Sequence, residues 1–409
     1  MMNRRIFLKS GAAAMLTVGF APSFLARTAE AAGARRRLLI AVFQRGAVDG
    51  LNMVVPHGDP EYYAARRTIA VPRPGAEGGV VDLDGFFGLH PRLAPLQPLW
   101  ANRSLAVVHA SGSPDATRSH FDAQDYMETA TPGVKTTRDG WLNRYLQHDA
   151  EGHPLRAVAI TRQMPRTLQG TAPALAVGSL ADFAVRGGAG QQRTLEQTYG
   201  QAADGLGEAA GEAFDAMREL AAATSGPYRP AGGVTYPRSP FGQALQEIAR
   251  LAKAGVGLEI AFAESDQWDH HANEGGATGQ IANRLGDFAA SLAALVADLG
   301  ERMADTVIVT MSEFGRAVAE NGSRGTDHGH GNTMLLLGGP VRGGQVAADW
   351  PGLRPQDRYE GRDLAITTDF RDVFGEILTR HLGADSATAA RVFPGYEVDP
   401  TRLRGVIRS

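Results

Sequence analysis

Continuous apolar runs, each closed by a polar, glycine-rich turn, set the pattern of this chain. Residues 38–43 read Leu-Leu-Ile-Ala-Val-Phe, 104–109 read Ser-Leu-Ala-Val-Val-His, and 306–311 read Thr-Val-Ile-Val-Thr-Met. A further run covers 257–263, and shorter ones stand at 156–160, 174–177 and 333–337. Runs without polar alternation predict strands buried on both faces, as in a parallel sheet. Between them the spacing changes to threes and fours. Ile281, Leu285, Phe288, Leu292, Leu295 and Leu299 form one stripe and predict an amphipathic helix over 278–300. Helices are also predicted over 93–101, 120–128, 240–254 and 366–382, the last capped by Thr368 or Asp369. Strand and helix in repetition predict an α/β fold with a mostly parallel central sheet and helices on both faces.

A single domain over 38–405 is expected, because no second apolar core is evident. Residues 192–225 carry Ala, Leu, Glu and Gln at helical spacing, and 226–238 are rich in Pro and Gly. Together they predict a helical insertion near 182–238, ending in a linker. The 409 residues are 43% hydrophobic and 21% charged, which supports an ordinary packed core. A net charge of -3 offers no basic field for nucleic acid. There are no cysteines, which excludes thiolate metal sites, disulfides and a cysteine nucleophile.

The N-terminus adds a destination. Asn3-Arg4-Arg5-Ile6-Phe7-Leu8-Lys9 is a twin-arginine pattern, an apolar stretch follows over 11–26, and Ala29-Glu30-Ala31 supplies small residues for cleavage. Residues 1–31 therefore read as a signal peptide taken by the twin-arginine export machinery, with a periplasmic or extracellular destination. Gly11, Gly19 and Pro22 interrupt the stretch and argue against a permanent membrane span.

Candidate chemistry follows the strands, where open α/β sheets place their ligands. After 257–263 come Asp266, Asp269, His270 and His271; either Asp266 with His270 or Asp269 with His271 offers a carboxylate and an imidazole to a divalent metal. After 306–311 come Glu313 and Arg316, the latter suited to hold an anion. Asp327-His328-Gly329-His330-Gly331 sets two more imidazoles and a carboxylate among glycines. Ser119 opens the helix over 120–128, with Arg118, His120 and Asp122 beside it. A serine at a helix start suits attack on a phosphate or sulfate ester. No Gly-x-Ser-x-Gly elbow surrounds it, which weakens a serine esterase.

The stretches 45–52, 118–128, 140–144, 268–271, 312–316 and 325–331 resemble, in motif order, the bacterial family called domain of unknown function (DUF) 1501. That family is similar in layout to the alkaline phosphatase and sulfatase superfamily. The resemblance implies an alkaline phosphatase-like fold, with Ser119 as nucleophile. It implies metal ligands from Asp49, Asp269, His271, Glu313, Asp327, His328 and His330. It favours Asp269 and His271 over the other pair. Two departures stand out. Gln44 occupies the place of the first Asp, so that Asp49 substitutes for it, and Phe314 occupies the place of a paired His. One metal, or a rearranged site, is then expected rather than two zincs. The expected activity is metal-dependent, with zinc the foremost candidate: hydrolysis of an anionic small-molecule or polymer ester of phosphate or sulfate. A secreted binding protein that keeps the fold without the chemistry is the alternative.

Overall fold

The computed structural model describes residues 37–148, 153–180 and 226–408, together with Leu16–Thr17 and Leu220. The expected signal peptide, apart from Leu16–Thr17, and most of the expected helical insertion lie outside the described residues. The central sheet is built from β1 (Leu38–Gln44), β2 (Leu105–Gly112), β3 (Ala157–Ala159), β4 (Ala174–Ala176), β5 (Ile260–Ser265), β6 (Thr306–Met311), β7 (Asn332–Gly338) and β8 (Gln345–Ala347). Their order is β4-β3-β5-β1-β6-β7-β2-β8. β7 runs antiparallel to both of its neighbours, and the other pairings in this row are parallel. The short β9 (Thr368–Asp369) pairs parallel with the end of β2.

All seven residues of β1 are buried, because β5 and β6 flank it and helices cover both faces. Its alternation divides the core. Leu38, Ile40 and Val42 point into one layer with Leu245, Ile248, Phe288 and Leu292. These come from α3 (Pro240–Ala254) and α4 (Gln280–Leu299). Leu39, Ala41 and Phe43 point into the other layer with Trp141 and Leu142 of α2 (Trp141–Leu146), Phe370 and Phe374. The Trp141 and Phe374 rings stack there at 4.5 Å. Two apolar layers around one sheet are what continuous apolar strands require.

Three boundaries differ from expectation. The run over 257–263 enters the sheet only at Ile260, because Gly255 and Gly257 hold left-handed φ of 71° and 75°. The helix over 366–382 begins at Phe370, with Asp369 as its cap accepting from the Arg371 N–H at 2.9 Å. Pro91, Pro95 and Pro98 turn the helix over 93–101 into a 3-10 segment, Pro91–Leu96, joined to a short α-helix, Gln97–Ala101. Among the described residues no helix is long and apolar enough to cross a membrane.

The segment after the insertion is tied down by one carboxylate. Asp298, buried near the end of α4, accepts from the Tyr228 hydroxyl at 2.7 Å, the Tyr236 hydroxyl at 2.9 Å and the Ala231 N–H at 2.7 Å, and pairs with Lys253 of α3. Burial pushes its carboxyl up, but Lys253, the amide and the hydroxyls outweigh this and hold it below the usual carboxylate range. A depressed folded pKa contributes stability above the unfolded value of about 3.9, and that stability is lost as pH falls through the folded value. Asp298→Asn should therefore cost about 1.5–3 kcal/mol at neutral pH, and the gap to the unaltered chain should close as pH falls below about 4. Urea unfolding across that range checks it.

Candidate metal centre

The turns that follow β1, β5 and β6 meet at one edge of the sheet, where parallel strands present their carboxyl ends. Arg316 joins them. It is 1% exposed, and its guanidinium donates to Ala47 O at 2.6 Å, Thr326 O at 3.1 Å and Gly46 O at 2.5 Å. It also donates to Asp269 Oδ1 at 2.6 Å. The close approach needs glycine. Gly46 has φ 108°, and a Cβ there would stand 2.9 Å from the Asp269 backbone nitrogen. Arg316 thus lies beneath the site as a brace, with its donors engaged, rather than open to an incoming anion.

Above it sits a cluster of imidazoles. His120 is the first residue of α1 (His120–Thr129). Its Nδ1 lies 2.8 Å from Glu313 Oε1, so Nδ1–H donates to that carboxylate and Nε2 is turned away from it. His328 Nδ1 lies 2.9 Å from Arg118 O; since a carbonyl only accepts, this ring too carries its proton on Nδ1. The two Nε2 atoms stand 3.0 Å apart. His271 Nε2 lies 2.9 Å from His328 Nε2 and 2.9 Å from Asp269 Oδ1, while its Nδ1 faces Asp327 Oδ1 at 3.5 Å. Asp269 Oδ2 is 3.5 Å from His120 Nε2. Ligand atoms of His120, Asp269 and His328 all lie within 4.8 Å of one another, a group that could hold a metal ion.

The supporting contacts tune these groups. Glu313 is buried and its Oε1 also accepts from the Gln124 side-chain amide at 2.8 Å and the Gly46 N–H at 2.9 Å. Burial pushes Glu313 up, yet His120, Gln124 and backbone N–H groups hold it below the usual range. The Glu313 hydrogen bond raises His120 above its ordinary value, against partial burial. Burial lowers His328. Asp269 is kept low because Arg316 outweighs its desolvation. Carboxylate–imidazole pairs of this kind orient metal ligands from behind.

Of the residues expected from sequence, Asp269, His271 and His328 come together, with Asp327 behind His271 and Glu313 behind His120. Asp266 and His270 do not join them; His270 is buried and pushed down to about 4 by desolvation. Ser119 occupies the N-cap of α1, exposed, and its hydroxyl caps no backbone N–H. His330, expected as a ligand, is instead buried with its ring stacked on Tyr359 at 4.1 Å. Asp49, also expected as a ligand, lies apart. It is engaged in a buried pair with both terminal nitrogens of Arg66, one contact being 3.0 Å. Gln44 is buried with its Oε1 unbonded among the described residues, and Phe314 packs against the His120 and His328 rings at 5.0 Å each. His120 was the ligand candidate that sequence reading passed over; it was visible only as the neighbour of Ser119.

The family model for proteins of unknown function called DUF1501 matches residues 99–391, and the chain belongs to that family. No curated protein matches the chain. A similar solved structure is the crystal structure of PsFucS1 sulfatase from Pseudoalteromonas sp., 14% identical, with a TM-score of 0.39, covering 94% of this chain and 77% of that one. That likeness is too distant to carry chemistry from one protein to the other.

The Asp49–Arg66 pair makes a separate prediction. Removing one partner of a buried pair strands the other charge, which costs about 3–5 kcal/mol. Arg66→Met should lower unfolding stability by that amount in urea. A loss under about 1 kcal/mol would contradict the pairing.

Proposed function

We propose that this member of the DUF1501 family is an exported, metal-dependent hydrolase of phosphate or sulfate esters. One observation carries the proposal. His120 and His328 each commit Nδ1–H to a fixed acceptor, yet their Nε2 atoms stand 3.0 Å apart. Two neutral imidazoles so arranged aim lone pairs at each other, and a cation between them relieves the repulsion. Asp269 supplies the matching negative charge. Nitrogen and oxygen donors in a chain without cysteine suit zinc. Bound there, zinc supplies Lewis acidity that stabilises negative charge developing on an ester oxygen.

The chain's own residues supply the rest. Ser119, exposed and next in sequence to His120, is the nucleophile: its oxygen bonds to the phosphorus or sulfur of an anionic small-molecule or polymer ester as the bond to the alcohol oxygen breaks. The alcohol leaves with the hydroxyl proton, and water then cleaves the seryl ester to release phosphate or sulfate. N–H groups of the first turn of α1 lack partners within the helix and favour an anion there. Glu313 fixes the His120 tautomer, and Gln124 fixes Glu313. Arg316 acts through Asp269. His271 is about half exposed beside Asp269 and completes the donor set.

Gln44 and Phe314 favour a second reading, a secreted binding protein without turnover, because neither supplies the carboxylate or imidazole that a second zinc takes.

The hydrolase reading expects turnover of 4-nitrophenyl phosphate or sulfate that disappears on chelation and returns with zinc. Ser119→Ala should reduce that turnover about a thousandfold or more while retaining the metal. Full turnover in this variant would remove the nucleophile assignment. Bound zinc without turnover of either ester would favour the binding protein. Zinc affinity should weaken as pH falls into the range where His120, held above the ordinary imidazole value, takes up a proton. Glu313 raises His120, and a proton there competes with the metal for Nε2. Isothermal titration at several pH values reads this directly.

A further inference from the structure

The buried Asp49–Arg66 pair has a third member. Glu274, on the loop between β5 and α4, is fully buried, and its carboxyl lies within hydrogen-bonding reach of Asp49. Its Oε2 accepts from the Thr326 hydroxyl at 2.7 Å. Its Oε1 is buried with no donor among the described residues. A buried carboxylate oxygen without a donor is costly. Two ionised carboxylates against the one guanidinium of Arg66 would also leave a net negative charge in the core. One proton on Oε1 removes both defects, because it supplies a donor toward Asp49 and cancels the excess charge. Asp49 remains the anion of the two, since both terminal nitrogens of Arg66 bind it.

The groups around the pair keep a fixed charge at neutral pH. Arg66 stays protonated, its burial outweighed by Asp49. His90, His109 and His270 all feel Asp49, and burial pushes each down to about 4, so they are neutral. Burial pushes the Tyr62 hydroxyl up. Glu274 is held well above the usual carboxylate range, first by burial and then by Asp49, against Arg66 and Thr326.

The proton sits where the loops of the imidazole cluster cross. Glu274 shares its loop with Asp269 and His271, and Thr326 shares its loop with His328. Asp49 follows β1, and Arg66 donates to Ala317 O at 3.0 Å and Val318 O at 2.9 Å beyond β6. The N–H groups of Asn273, Glu274 and Thr326 bond between the first two loops, to Ser323 O, Arg324 O and His270 O. Without the proton, two buried anions would meet at this crossing.

We propose that Glu274 and Asp49 share one buried proton, and that this proton locks together the loops carrying Asp269, His271 and His328 and releases them as pH rises. The lock belongs to the loops, and it stands whether or not the cluster turns over an ester. The unfolded chain loses the Glu274 proton near pH 4.3, and the folded protein loses it only at higher pH. Between those two values the folded state holds the extra proton, so stability falls as pH rises and the loss ends above the folded value.

In Glu274→Gln a side-chain amide replaces the carboxyl hydroxyl and does not titrate. Urea unfolding of both proteins from about pH 5 to about pH 8, in chelator so that metal binding does not enter, tests the proton. We expect the folded-to-unfolded ratio of the unaltered protein to fall against that of the variant by about tenfold per pH unit, up to the folded value. Asp49→Asn should open the same gap, because Glu274 then ionises beside Arg66. A gap that stays constant over this range, in whichever variant folds, overturns the shared proton. Hydrogen exchange tests the lock. At equal pH, the amides of Asn273, Glu274 and Thr326 should exchange progressively faster in the unaltered protein than in Glu274→Gln as pH rises. Equal exchange at every pH overturns the lock even where the proton is confirmed.

Discussion

Arg316 is the contact on which the site depends. A guanidinium removed from water must have its donors met, or the fold bears a desolvation cost of several kcal/mol. Here the acceptors are carbonyls of the turn after β1, a carbonyl of the loop before β7, and the carboxylate of Asp269 after β5. Together with backbone bonds such as Trp268 N–H to Arg45 O and Thr326 N–H to His270 O, this fixes three loops relative to one another. The placement of Asp269 below three imidazoles is in part a consequence of that brace. So is its acidity: a carboxylate next to a buried cation stays ionised and available to a metal ion.

The imidazoles depend on a second constraint. Each ring is oriented from behind, His120 by Glu313 and His328 by the Arg118 carbonyl, and Phe314 packs against both. An aromatic ring stands where the family resemblance expects a further ligand, and it stiffens the two histidines it packs against. Asp49 tells the same story from the other side. Once paired with Arg66 in the core it acts in folding, not in the cluster.

The sheet was legible because its strands are apolar without interruption, and short unbroken runs bounded by turns suit buried strands better than amphipathic helices. The direction of β7 was not, since an apolar run reads alike parallel or antiparallel. The late start of β5 depends on backbone angles at Gly255 and Gly257 that composition does not encode. Asp269, His271 and His328 could be found because polar residues crowd just past strand ends. His120 could not be distinguished from a helix-start residue, because the partner that orients it, Glu313, is 193 positions away. Asp49 was misplaced for the same reason. Arg66 sits in a Pro- and Gly-rich crossover where nothing in the sequence marks it as a core cation.

The proposed site holds a cation between His120, Asp269 and His328. Crystals of protein purified without added metal, measured on both sides of the zinc absorption edge, test it most directly. A zinc ion bound there gives an anomalous peak about 2.0–2.2 Å from Nε2 of His120, Nε2 of His328 and a carboxylate oxygen of Asp269. A map without a peak, in protein that also takes up no zinc on titration, would contradict it; the 3.0 Å contact would then be a shared proton between two histidines.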